Sequence, residues 1–154
     1  MVRFKYRYFT VQMSLQVKKL SLFEPFYIKQ ESITTALRNK IKELHGDYGV
    51  AAVEFGLQVK YCNPHTQIIL VRAQHGAHRY VASALPFVKL IEDHPVTLKT
   101  LYTGTSLRHC FLFLMRYQKF HLKKIWHLLQ EEQKKLMESA FLNVKLDKLT
   151  EKMK

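Results

Sequence analysis

The first eight residues, Met-Val-Arg-Phe-Lys-Tyr-Arg-Tyr, set Arg3, Lys5 and Arg7 against Phe4, Tyr6 and Tyr8 at a period of two. Successive side chains of a β-strand point to opposite faces, so the pattern predicts a strand with cations on one side and aromatics on the other. A row of cations on a rigid strand suits a phosphate backbone. The aromatics can pack in a core or stack on bases, and packing is the commoner fate. Beyond Tyr8 the apolar residues are Phe9, Val11, Met13, Leu15 and Val17, all at odd positions. That change of phase predicts a bulge or sharp twist near Tyr8–Phe9, within one strand over about residues 3–17.

A loop leads to a helix over residues 30–44, where Ile33, Leu37, Ile41 and Leu44 form an apolar stripe. Gly46 is placed to cap it in the left-handed region. Val53, Phe55, Leu57, Val59 and Tyr61 alternate with polar residues and predict a second strand over 53–61. Asn63-Pro64 marks a turn. The unbroken run Ile68-Ile69-Leu70-Val71 predicts a strand over 67–74 covered on both faces. A helix over 77–91 packs Val81, Ala84, Leu85 and Val88, and Pro86 predicts a kink or an early end. A strand over 96–102 precedes the turn Thr103-Gly104-Thr105-Ser106, and a third helix runs from Leu107 to about Gln130. The order β-α-β-β-α-β predicts an α+β fold of the ferredoxin-like kind: a four-stranded antiparallel sheet with packed helices. One domain over 1–130 would carry a charged, helical C-terminal extension over 131–154.

Charge narrows the partner. The 25 Lys and Arg outnumber 12 Asp and Glu, a formal net charge of +13, which favours a polyanion. RNA, DNA and an acidic membrane face all qualify, but the apolar runs are too short to span a bilayer. The charged N-terminus does not read as a signal peptide, and Cys62 and Cys110 form no CxxC pair, so a soluble intracellular protein is expected. His75 and His78 lack further ligands at zinc spacing, and Glu92-Asp93 are adjacent at an expected helix end. No P-loop or nucleophile elbow is present, and no catalytic or metal-ligating set is assigned. An acylphosphatase-type hydrolase would need an Arg/Asn phosphate pocket that these spacings do not assemble.

Two readings stand open at Thr103–Ser106. The hydroxyls and free N–H groups at a helix start suit a phosphate, with Arg108 close enough to assist. Alternatively, Thr105 or Ser106 simply caps the helix. Arg116, Lys119, Lys123 and Lys124 lie further along the same helix, where a solvated face is the default. An RNP-type Gly-Phe/Tyr-Gly-Phe sequence is lacking, so an RRM stacking platform is not expected.

The opening octapeptide resembles the start of the Pop-five family, small protein subunits of eukaryotic and archaeal ribonuclease P and of RNase MRP. Leu44-His45-Gly46 followed by Tyr48-Gly49 is similar to the family's His-Gly signature. Val59–Asn63 with Thr66 and Ile69–Arg72 resembles its strand–turn–strand segment, and Ser83–Phe87 its second-helix motif. Thr103–Arg108 is similar to its Gly-Gly-Thr-Ile-Arg-like turn, with the glycine pair reduced to Gly104. The similarity covers about residues 1–122; the loop over 18–31 is longer than usual, and the tail lacks the acidic run of some relatives.

The resemblance implies an RRM-like α-β sandwich serving as a non-catalytic, RNA-binding subunit whose RNA does the chemistry. That chemistry is 5′-leader removal from precursor tRNA, or cleavage of precursor rRNA. It implies RNA contact at Arg3, Lys5, Arg7, Tyr8, Lys60, Arg72, Thr103, Gly104, Thr105, Ser106 and Arg108. It implies ribonuclease P RNA or MRP RNA and a thirty-kilodalton protein subunit as partners, precursor tRNA as an indirect one, and no membrane. Mg²⁺ would belong to the RNA, with no cofactor held by the protein, and the location would be the nucleus and nucleolus. The competing expectation is a stand-alone RNA-binding or ribosome-associated module.

Overall fold

The computed structural model describes residues 5–15, 27–126 and 134–135. Arg3, Phe4, most of the 18–31 loop, the end of the third helix beyond 126 and nearly all of the tail lie outside the described residues.

Strand β1 (Tyr6–Leu15) is the centre of an antiparallel sheet, because both of its faces are apolar enough to bury. It pairs with β3 (Ile68–Gln74) on one side and β5 (His94–Gly104) on the other. The edges are β2 (Gln58–Cys62), beyond β3, and β4 (Leu90–Ile91), beyond β5, giving the order β2-β3-β1-β5-β4. Phe9, Val11 and Met13 face one core with Ile69, Val71 and Leu98. Helices α1 (Gln30–Glu54) and α2 (His78–Ala84) complete that core through Ile33, Leu37, Ile41, Val53 and Val81. Tyr8 faces the opposite way, into a smaller core closed by Leu107, Cys110 and Phe111 of α3 (Leu107–Ile125), with Leu70 from β3. The continuous run in β3 is covered on both faces, as its composition requires.

The expected slip near Tyr8–Phe9 does not occur. Pairing with β3 runs unbroken from Tyr6 opposite Gln74 to Gln12 opposite Ile68. The apparent phase change arises because α3 buries the even residues and α1 with α2 buries the odd ones. An irregularity does exist, but against β5: Thr10 pairs with Tyr102 and Val11 with Thr100, so Leu101 is the extra residue.

Three other boundaries differ from expectation. Gly46 takes a positive φ of 66°, yet the helix resumes beyond it to Glu54, so Val53 is helical and the second strand starts only at Gln58. Leu44, at the break, is exposed and leaves the stripe. Pro86 does end α2 early, in a single 3-10 turn over Leu85–Phe87. The residues after it form a hairpin rather than more helix: Leu90 pairs with Pro95 and Ile91 with His94. Glu92 and Asp93, at φ 48° and 63°, make its two-residue left-handed turn. The sheet therefore has five strands instead of four, within the same fold class.

Candidate nucleic-acid interface

Pairing of β1 with both neighbours gathers most of the expected site at one end of the sheet. Tyr8 lies opposite Arg72 on β3 and opposite Gly104 on β5, and Phe9 lies opposite Thr103. Lys5 is exposed and Arg7 half-buried, both on the odd face, and the Lys5 carbonyl accepts the His75 N–H at 2.7 Å. That places them beside the start of α2, where Arg7, His75 and Arg79 act on His78. Burial first, and then these like charges, hold the His78 imidazole below its ordinary value. The aromatics of β1 go where packing would send them: Tyr8 is buried, and Tyr6 packs at the margin of the smaller core.

Arg72 sits on the α3 side of the sheet. Its guanidinium carbon stands 4.5 Å from the centroid of the Tyr6 ring, a cation–π contact, and its buried Nε has no hydrogen-bond partner among the described residues. Across the strand pair the register skips between Val59 and Tyr61, making Lys60 the extra residue of β2. Desolvation, with the nearby Arg72 charge second, pushes the Lys60 ammonium down from its usual range.

The Thr103–Ser106 turn resolves partly in favour of capping. Ser106 Oγ accepts the His109 N–H at 3.4 Å and lies 3.0 Å from His109 Nδ1. Gly104 is buried and does not need a positive φ; its role is steric. A Cβ there would stand 2.8 Å from Cys110 Sγ and 3.0 Å from Tyr102 Cε1. Gly104 therefore lets α3 seat against β5. Thr103, Thr105 and Arg108 remain exposed around this seat.

Sequence reasoning missed Arg79 and His78 as members of the basic end, since His75 and His78 drew attention as a metal pair. Their signal was the adjacent arginine. It also missed how charge is divided. The carboxylates of the described residues are Glu31, Glu43, Asp47 and Glu54 on α1, and Glu92 and Asp93 in the β4–β5 turn. Strands β1, β2, β3 and β5 carry none, and α3 bears Arg108, Arg116, Lys119, Lys123 and Lys124 without one acidic residue. The α3 side of the sheet is a cationic surface, while the α1 side is mixed. Four of the carboxylates, Glu31, Glu43, Glu92 and Asp93, line a groove of about 730 Å³ between α1 and the β4–β5 hairpin.

The model for the Rpp14/Pop5 family matches residues 7–115. The "Ribonuclease P/MRP protein subunit POP5" of Bos taurus is 34% identical over 126 residues, covering 79% of this chain and 72% of that protein. Its Homo sapiens counterpart is 32% identical over 126 residues, with 79% and 75% covered. The "Probable ribonuclease P/MRP protein subunit POP5" of Arabidopsis thaliana is 30% identical over 148 residues, with 95% and 98% covered. A chain in the cryo-EM structure of yeast Ribonuclease MRP shares the fold, with a TM-score of 0.50 at 16% identity, covering 81% of this chain and 99% of that one.

Proposed function

This chain belongs to the Rpp14/Pop5 family, and from that premise we propose that it is a non-catalytic, RNA-binding subunit of ribonuclease P or RNase MRP. The observation that carries the reading is a side of the sheet with no carboxylate among the described residues, on which Arg72 lies near enough to Lys60 for its charge to act there. Two like charges on half-buried strands repel, and desolvation raises the cost. A phosphate placed between them relieves both terms, so the site is poised for a polyanion. Arg108, at the start of α3, and Lys5 and Arg7, at the edge of the opposite face, extend the positive potential around the same end of the sheet.

The mechanistic role follows from electrostatics. An RNA active site must crowd phosphates and Mg²⁺ ions together, and fixed cations at its margin offset the phosphate repulsion. In this reading the RNA holds the Mg²⁺ and performs the cleavage of precursor tRNA or precursor rRNA. A thirty-kilodalton protein subunit is the expected protein neighbour, and the nucleus and nucleolus the expected location.

The test is the salt dependence of binding to ribonuclease P RNA for Lys60→Gln/Arg72→Gln. Each lost phosphate contact flattens the slope of log K against log salt by about 0.9 at the limit of a B-form duplex and about 0.7 on single strands. The double variant is expected to lose about two such steps. An unchanged slope in a folded variant removes the pair from the interface.

A further inference from the structure

We propose that the aromatic row running from β5 onto α3 is a stacking track for unpaired RNA nucleotides, an inference that rests on the RNA-binding reading above. Tyr102 stacks on Phe113 with centroids 4.8 Å apart and planes 13° apart. Phe113 continues to Tyr117 at 5.9 Å and 23°, and Tyr117 to His121 at 4.3 Å. Phe113, Tyr117 and His121 recur every four residues, so they line one flank of the helix for about 12 Å at 1.5 Å rise per residue. All four rings are half-buried, each with part of its surface open to solvent. The Tyr117 hydroxyl donates to Gln12 Oε1 at 3.1 Å, which fixes the middle of the row against β1.

Tyr102 packs against the smaller core, but closing that core falls mainly to side chains of α3 outside the row. Leu107, Cys110, Phe111, Leu114 and Leu122 do that from the neighbouring flank, where all are buried. The next row outward is Arg116, Phe120 and Lys124, again every four residues, with Lys124 Nζ 4.4 Å from the Phe120 centroid. Phe120 is 57% exposed. On the sheet side Lys99 lies opposite Gln12. Aromatic surface is thus bordered by cations on both sides, and neither β5 nor α3 contributes a carboxylate.

That combination fits single-stranded nucleic acid. Cations track the phosphates while rings accept base faces, irrespective of sequence. An A-form duplex keeps its base faces stacked internally and offers this surface phosphates and 2′-hydroxyls but no open base face, so the rings distinguish unpaired from paired RNA. The track therefore recognises splayed nucleotides of a loop or junction, and the Lys60–Arg72 site grips backbone in either form.

The experiment compares binding of the full chain to an oligoadenylate of about ten nucleotides, within the usual span of such sites, and to an RNA duplex of equal length. Fluorescence anisotropy is read at fixed salt. Phe113→Leu/His121→Leu removes two rings while keeping side-chain bulk at both positions. Phe120→Leu, on the exposed row, leaves the packing undisturbed and guards against a folding defect in the first variant. The double variant is expected to weaken oligoadenylate binding by about tenfold per stacked base lost, with duplex affinity unchanged. Phe120→Leu should weaken the same oligomer selectively, and crosslinks from 4-thiouridine-labelled oligomer should fall on the α3 row. Equal losses on both RNAs in folded variants, no loss on either, or equally good competition by polyglutamate would overturn the track. In each case the Lys60–Arg72 reading stands. Failure of the unsubstituted chain to bind any RNA, including ribonuclease P RNA, would remove the RNA reading itself.

Discussion

Replacing Gly104 with alanine tests how α3 is held over the sheet, and with it the position of Arg108 and the cationic row. The added Cβ meets Cys110 Sγ at 2.8 Å and Tyr102 Cε1 at 3.0 Å, closer than side chains ordinarily approach. Neither atom can retreat freely. Cys110 is fully buried, and Tyr102 is held by its stack on Phe113. Overpacking of this kind costs about 1–3 kcal/mol, and the upper half of that range is expected because two neighbours must move. For a domain of this length, that corresponds to a fall in Tm of about 4–12 °C, at about 2–4 °C per kcal/mol. The assay is a double-mutant cycle by urea unfolding of the parent, Gly104→Ala, Cys110→Ala and the double variant. Removing Sγ deletes the closer clash, so about 1–2 kcal/mol of the Gly104→Ala cost should vanish in the Cys110→Ala background. Additive costs, or a neutral Gly104→Ala, would refute the steric role and return Gly104 to the phosphate-binding alternative.

Other outcomes follow from particular side chains. Gln118 is buried with neither amide atom hydrogen-bonded among the described residues, so Gln118→Leu should stabilise the chain by about 1–2 kcal/mol, seen as a higher urea midpoint; destabilisation would reveal a partner for the amide. His78 is held below its ordinary value in the folded chain, so the unfolded chain binds the proton more readily. Stability should therefore fall as pH drops through about 6.5 toward the folded value, and His78→Gln should flatten that slope in pH-dependent melts. An identical slope in His78→Gln would remove His78 as its source. If a polyanion lies against Arg7 and Arg79, saturating RNA should raise the His78 imidazole toward its ordinary value in an NMR titration, and an unmoved titration would place the RNA elsewhere.

What could be seen in the sequence depended on whether the signal was local. Ile68–Val71 announced a strand with two covered faces because no one-sided strand tolerates four consecutive apolar residues. Pro86 announced the end of α2 because it removes a donor. The hairpin after it was hidden: Val88 and Ile91 also suit helical spacing, and a two-residue strand has no periodicity to detect. Val53, Phe55 and Leu57 mimicked strand alternation while Val53 completed a helical face and exposed Phe55 ended the helix. Within the site, the strand cations were legible one by one, but their separation by face was not. Lys5 and Arg7 point to the α2 side, and Lys60 and Arg72 come together only once β2 pairs with β3. The ring row was invisible for the same reason, since Tyr102 and Phe113 meet only when α3 folds back along β5.

Membership in a working ribonucleoprotein can be read from what the chain carries with it. The most direct measurement is to purify the tagged full chain from cells that express it, sequence the RNA retained, and assay the eluate on precursor tRNA. Enrichment of ribonuclease P or MRP RNA is expected, with 5′-leader removal when the former is present. An eluate containing neither RNA, beside an active preparation from another tagged subunit, would contradict it.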